Sequence, residues 1–310
     1  MPESLSALLP KLPPATLALG ILLGLCGVWP AAWGAFSKKA SKAAIQASIV
    51  LLGFWVSLQQ VAAAGLSGLA FSTGAIVLVL AVSWSLGRAL GTDRDTGTLL
   101  SAGTAICGGS AIAATGSAIN AAPGTIAAAT AIVFILNAAG VYTYPVVGHA
   151  LEMSDRQFGA WCAVGVHDVA GVVGAAGAFS KAALADATVI KLTRVLWIVP
   201  VALFLRRVSR DAQAAEGKAR SPFPWFIALF LAACGLRALL DRSLGAGAIA
   251  PWADSARVAA TLLLAFALLL IGSAISRKTV ASLGWRPLVH GAALWLIVSA
   301  AALVAARALL

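Results

Sequence analysis

A chain of 310 residues that is 61% hydrophobic and only 11% charged is not a soluble domain, in which about a quarter of residues carry charge. A net charge of +11 would suggest nucleic acid in a soluble protein, but no aromatic-interleaved basic patch accompanies it, and nucleic acid is excluded as a partner. Alternating strands of ~10 residues are absent, which excludes an outer-membrane barrel. A polytopic all-α membrane protein remains.

About ten apolar stretches approach the ~20 residues of a spanning helix. They lie at 15–35, 44–62, 67–88, 98–119, 123–148, 158–180, 186–206, 222–241, 256–276 and 288–307, in one transmembrane domain over 1–310. The first is followed by Ala31-Ala32-Trp33-Gly34-Ala35, which has the small residues of a cleavage site. Lys38, Lys39 and Lys42 come directly after it and resist translocation, so the stretch is expected to stay as the first helix. At the end of the second, Gly53 to Gly65 can be laid on Gly272 to Gly284, with Gly, Ser, Val, Ala and the closing Gly coinciding. By the placement of basic residues the first copy leaves the membrane outside and the second inside, as the two halves of an inverted repeat do.

The fourth stretch holds the least helix-like run, Thr104-Ala-Ile-Cys-Gly-Gly-Ser-Ala111. Paired glycines with Ser and Thr weaken helix propensity and let backbone groups face a cavity. The spacing predicts a break at Gly108-Gly109 that offers amide N–H groups and the positive end of a helix dipole, which favour anions. Asn137 and the Tyr142–Pro145 run follow in the fifth stretch, where an amide usually tethers two helices.

The sixth stretch carries the one clearly interior carboxylate, Asp168, beside His167. On an unbroken helix Gly165, Asp168, Gly171 and Ala175 share a stripe that faces a neighbour or a cavity. His167 and Asp168 are candidates for proton coupling or substrate contact, against a structural hydrogen-bonded pair. In the seventh, Lys191 and Arg194 are i, i+3 neighbours with Thr193 between them and Asp186 upstream as a partner for Lys191. They either snorkel to headgroups or make a positive site for an anion. Cys26, Cys107, Cys162 and Cys234 all fall inside predicted spans without a CxxC pair, so neither a disulfide framework nor a zinc site is expected. No cofactor or metal is expected.

Basic residues concentrate in the odd-numbered linkers: Lys38, Lys39 and Lys42; Arg88 and Arg94; Arg156; Arg206, Arg207, Arg210, Lys218 and Arg220; Arg277, Lys278 and Arg286. The positive-inside rule makes that side cytoplasmic, which puts both termini in the periplasm.

The chain resembles the YeiH family, bacterial inner-membrane proteins to which sulfate export is ascribed. The resemblance rests on Leu51-Leu-Gly-Phe54, Gly103-Thr-Ala-Ile-Cys-Gly-Gly-Ser-Ala-Ile-Ala-Ala114, Tyr144-Pro145, His167-Asp-Val-Ala170, Lys191-Leu-Thr-Arg-Val195 and Pro224-Trp-Phe226. It implies inverted repeats with discontinuous helices, distantly like the cation:proton antiporters. The family pattern usually continues His-Asp-Val-Ala-Gln-Val, and this chain has Gly171 in place of Gln. The expected function is a secondary transporter exporting a small anion, sulfate or a related sulfur oxyanion, with proton coupling. Its expected binding residues are Thr104, Cys107, Gly108, Gly109, Ser110, His167, Asp168, Lys191, Thr193 and Arg194. Its partners are a small inorganic or organic anion and the lipid bilayer, with a homodimer allowed. The alternatives are an anion channel, a structural membrane protein and, last, an intramembrane enzyme using Ser110 or Cys107 with His167; no Gly-x-Ser-x-Gly or His-Glu-x-x-His motif supports the enzyme.

Overall fold

A computed structural model describes residues 9–195, 197, 198, 200, 201, 204, 225–277, 281 and 283–310, and every regular element among them is helical. In chain order these are α1 (Leu12–Cys26), α2 (Gly34–Trp55), α3 (Leu58–Leu90), α4 (Arg94–Ala105), α5 (Gly109–Ala118), α6 (Pro123–Ala150), α7 (Asp155–Gly165), α8 (Val169–Phe179), α9 (Lys181–Val195), α10 (Trp225–Leu244), α11 (Ala246–Ser273) and α12 (Trp285–Leu309). Four have the length and apolarity to cross a bilayer: Gly68–Leu90 within α3, Gly124–Ala150 within α6, and the whole of α11 and α12. The protein is thus a multi-pass helical membrane protein. Arg206, Arg207, Arg210, Lys218, Arg220, Pro224 and Lys278 lie outside the described residues, as do parts of the expected span 186–206, the first residues of 222–241 and part of the 272–284 copy.

Three expected spans are corrected. Residues 44–62 are not one helix, since α2 ends at Trp55 and α3 begins at Leu58. Residues 98–119 and 158–180 do not each cross as one helix; each is a hairpin of two short helices, hairpin I (α4 and α5) and hairpin II (α7 and α8). Leu99 Cδ2 lies 3.5 Å from where a Cβ on Gly116 would stand, and Ile112 Cδ1 lies 2.8 Å from the same point on Gly103. Residues 99 and 116 would be about 25 Å apart on one straight helix, so α4 and α5 must fold back on each other. The second hairpin closes the same way: Phe158 of α7 stacks on Phe179 of α8 with ring centroids 3.8 Å apart. An apolar run of about 20 residues looks the same whether it crosses once or turns back halfway, so hydropathy alone predicts a span for each.

The helix α6 is the ruler between them. Gly116, near the base of hairpin I, meets Ile126, while its tip at Gly108 meets Val133. Further along, Asn137 and Gly140 meet the tip of hairpin II, and Gly148 meets Phe158 and Phe179 at its base. The hairpins therefore enter from opposite ends of α6 and touch near its middle. Arg156, at the base of hairpin II, stands at the opposite end from Arg88 and Arg94, which corrects the expectation that their linkers share a side.

Local sequence explains the ends. The Asp93 carboxylate accepts from the N–H groups of Asp95 (3.0 Å) and Thr96 (3.2 Å) and starts α4. Ser154 and Gln157 form a reciprocal capping box that starts α7. Pro123 opens α6, at a position where a missing N–H costs nothing.

Around the hairpins, α3, α6, α9 and α12 form one group, and α1, α2, α10 and α11 pack together beside it, chiefly against α8. In the second group a Cβ on Gly20 of α1 would stand 3.1 Å from the Cα of Gly272 of α11. Small residues let these two backbones touch, as membrane helices do when lipid removes the hydrophobic drive between them.

Candidate functional site

The site is the contact between the two hairpin tips. Gly108 has φ +69° and ψ −125°, a backbone region that essentially only glycine enters without strain. Its missing side chain admits hairpin II: a Cβ there would lie 3.7 Å from both the Cα and the Cβ of Asp168. Thr104 Oγ1 and His167 Nε2 are 3.3 Å apart across the same contact, and Thr104, Cys107 and His167 are all buried.

Breaking two helices in the core strands the last carbonyls of α4 and α7, which carry the negative ends of the helix dipoles. Lys191 and Arg194 of α9 answer them. Arg194 Nε donates to Ala105 O (3.0 Å), Nη1 to Ala163 O (3.0 Å) and Val164 O (2.9 Å), and Nη2 to Thr104 O (3.2 Å) and also to Ala105 O. Lys191 Nζ donates to Ala163 O (3.2 Å) and Val166 O (2.9 Å), and Trp295 Nε1 of α12 donates to Gly165 O (2.8 Å). The four successive carbonyls of Ala163–Val166 thus all accept from side chains of other helices. Both cations are fully buried, so they do not snorkel. All the guanidinium donors are occupied by carbonyl oxygens, so Arg194 ties hairpin I to hairpin II instead of presenting free charge to a solute.

The two helix N-termini at the contact differ. Asp168 caps α8, its Oδ2 accepting from Ala170 N (3.1 Å). Its own N–H donates to Asn137 Oδ1 of α6 (2.9 Å), so Asn137 is the tether its position suggested. A side chain at residue 171 would occupy the place of the Asn137 amide; Gly171 therefore leaves room for a polar group from α6 where the YeiH pattern has Gln. Asn137→Ala leaves the Asp168 N–H unpaired in the core and is expected to cost about 1–3 kcal/mol, read as a lower unfolding temperature of the purified protein. Gly108, at the N-cap position of α5, has no side chain to cap it; the Ala111 N–H lies against the Cys107 thiol, and Ser110 is exposed.

Exposure separates the hairpins as well. Along α5 and the adjoining start of α6, the exposed residues include Ser110, Ala113, Ser117, Gly124 and Ala127. Exposed surfaces elsewhere carry large apolar side chains such as Leu19, Trp84, Leu239 and Val304. A small, partly polar face suits water or another protein surface rather than lipid tails. In hairpin II, by contrast, Val169–Ala176 are all buried.

Of the expected site residues, Thr104, Cys107, Gly108, Gly109, His167 and Asp168 come together at the tips, with Lys191 and Arg194 behind them and Ser110 facing the open side. Thr193 does not join them: its Oγ1 donates to Ile190 O (2.7 Å) and lies 3.4 Å from Ser72 Oγ of α3. Asp186 packs on Gly159, while Lys191 turns inward to carbonyls. The stripe through Gly165, Asp168, Gly171 and Ala175 dissolves because the helix ends at Gly165 and restarts at Val169. Trp295 and the buried His290–Ser83–Ser101 group, with His290 Nε2 2.9 Å from Ser83 Oγ, were not singled out from the sequence. A histidine inside the last apolar stretch was the available signal.

The family described as "Conserved hypothetical protein 698" matches residues 3–291. The chain is 38% identical over 289 residues to a UPF0324 membrane protein of Bacteroides thetaiotaomicron, covering 93% of this chain and 84% of that one. It is 39% identical over 291 residues to a UPF0324 membrane protein of Geobacter sulfurreducens, covering 94% and 89%, and 37% identical over 294 residues to one of Vibrio vulnificus, covering 94% and 91%. No solved structure matches the chain.

Proposed function

The chain belongs to the UPF0324 family of membrane proteins, the same family as YeiH, and we propose that it is a secondary transporter that exports a small oxyanion, sulfate or a related sulfur oxyanion, across the bacterial inner membrane. The observation that carries this reading is the meeting of two opposed hairpins at mid-depth, with an uncapped helix N-terminus opening onto a small-residue face. Discontinuous helices at the midplane are how many secondary transporters build solute sites. The first amides of α5 and the Ser110 hydroxyl offer donors to an anion, while Lys191 and Arg194 act at one remove by fixing the two tips. The paired units are hairpin I with α6 and hairpin II with α9, an inverted repeat whose boundaries differ from the Gly53/Gly272 match.

Orientation follows from charge. Arg88, Arg94 and Arg286 gather at the end where hairpin I enters, since Arg286 Nη1 lies 3.6 Å from the Cβ position of Gly91. The positive-inside rule makes that end cytoplasmic and both termini periplasmic. The exposed α5 face then opens to the cytoplasm while buried α8 closes the other side. This one-sided access favours alternating access over a channel. An enzyme is less well supported: His167 Nε2 is engaged with Thr104 and Asp168 caps α8, so neither is arranged as a base for Ser110.

Gly109→Leu tests the site. A Cβ at Gly109 would already stand 3.1 Å from Phe134 Cζ on α6, so a leucine there must push the Phe134 ring aside and crowd the first turn of α5. The wild-type protein is expected to unfold at higher temperature with one of sulfate, sulfite, thiosulfate or a small carboxylate, and to move that anion saturably into inside-out vesicles. The variant is expected to keep its fold and lose both responses. A ligand shift undiminished in the variant would place the site elsewhere.

A further inference from the structure

Among the described residues, four buried side-chain atoms have no protein hydrogen-bond partner: Thr92 Oγ1, His167 Nδ1, Arg257 Nε and His290 Nδ1. Three of the four follow one arm, α4. Thr92 precedes its base, and its N–H donates to Gly87 O (3.0 Å). His290 of α12 comes next, its Cε1 3.4 Å from the Cβ position of Gly87 and 3.5 Å from that of Gly97. His290 Nε2 lies 2.9 Å from Ser83 Oγ of α3, which is 2.6 Å from Ser101 Oγ of α4. Both hydroxyls also reach Gly97 O, Ser101 at 2.8 Å and Ser83 at 3.4 Å, so each has two acceptors between which its proton can turn. Ser101 and Thr104 are i, i+3 on α4, about 5–6 Å apart at Cβ, a gap of the size that one water can span. Thr104 then meets His167 at the tips.

Buried polar atoms are rarely left unsatisfied, and where protein supplies no partner, ordered water does. We propose that the first arm of hairpin I carries a water-linked proton path, through Thr92, His290, Ser83, Ser101, Thr104 and His167, linking the basic end and the hairpin junction. A proton taken up at His167 Nδ1 releases the one on Nε2 to Thr104, which passes its own through water to Ser101. Ser101 donates to Ser83, and Ser83 protonates His290 Nε2 as His290 Nδ1 gives its proton up at the base. Each hop breaks one O–H or N–H bond and forms another, and no co-reactant is needed. Charge stands at the two ends of the line: Asp93, Arg94, Asp95, Arg286 and Arg88 (the last turned onto Trp84) at the base, and Lys191, Arg194 and Asp168 around His167. Between them lie hydroxyls and one imidazole. That the path feeds coupled transport rests on the function proposed above; its existence does not.

The chain has only three histidines, which makes histidine-labelled solid-state NMR in bilayers direct. His290→Gln and His167→Gln assign the rings, and His149 at the far end of α6 is a control. In the wild type, water magnetisation is expected to reach both His290 and His167. Ser101→Val is expected to cut transfer to His167 several-fold and spare His290; Ser101→Ala serves if the valine variant does not fold. Dry rings in the wild type, or transfer to His167 unchanged in a folded Ser101 variant, would overturn the path. A second arm uses liposomes holding a trapped pH dye and a sulfate gradient. Proton movement lost in the Ser101 variant supports the coupling role. Wet rings without sulfate-driven proton movement would sink sulfate coupling and leave the path standing.

Discussion

Arg194→Met is expected to be the most destabilising single change at the hairpin contact. It strips side-chain donors from the carbonyls of Thr104, Ala105, Ala163 and Val164, of which, among the described residues, only Ala163 keeps a side-chain donor, Lys191. An unsatisfied buried acceptor costs about 1–3 kcal/mol. Relaxation recovers part of that sum, so the loss should resemble that of a broken buried ion pair, about 3–5 kcal/mol. Thermal unfolding of the purified protein in detergent measures it. Arg194→Lys should fall between, because an ammonium keeps the charge but lacks the planar fork that spans two helix ends. A substrate-contact role predicts the opposite pattern, namely a methionine variant as stable as wild type that no longer responds to anion. That outcome would refute the tie between hairpins.

The sequence made the tip residues legible but not their topology. Gly108-Gly109 stood out because glycine pairs have no place in a lipid-facing helix, and the break lies there. The second break, at Val166–Asp168, escaped notice because Val166-His167-Asp168 contains no glycine; its signal was Asp168, whose side chain serves as an N-cap and so starts a helix rather than sitting within one. The fold-back was hidden because hydropathy reports burial and not direction. A trace of it can be read once the hairpins are known. Thr92-Asp-Arg-x-x-Gly97 recurs as Ser154-Asp-Arg-x-x-Gly159 at the two hairpin bases, and Ala129-Thr-Ala-Ile132 recurs as Ala187-Thr-Val-Ile190 on the helices that follow. The roles of Lys191 and Arg194 were beyond sequence for another reason. Whether a buried cation meets solute or carbonyl depends on which helix ends come within its reach, and those ends belong to residues about 30 and 90 positions earlier in the chain, gathered by packing small residues closely.

Asp168→Asn separates structure from coupling at the other half of the contact. Asparagine caps helices about as well as aspartate, and the backbone N–H of residue 168 still has Asn137 Oδ1 as its acceptor. The variant should therefore keep its fold, with stability changed by no more than about 1 kcal/mol. What it loses is the ionisable group, partly exposed and beside the uncapped start of α5. An ionised carboxylate there opposes an anion, whereas a protonated one does not, so anion binding and proton binding at the contact favour each other. Asparagine fixes the neutral condition. In proteoliposomes the wild type is expected to move labelled sulfate in response to an imposed pH gradient, and Asp168→Asn to bind sulfate with its pH dependence flattened and to show no gradient-driven movement. Asp168→Ala, which lacks the cap, should also lose about 1 kcal/mol of stability. Gradient-driven transport persisting in a well-folded Asp168→Asn protein would reduce the carboxylate to a helix cap and move the coupling proton to His167.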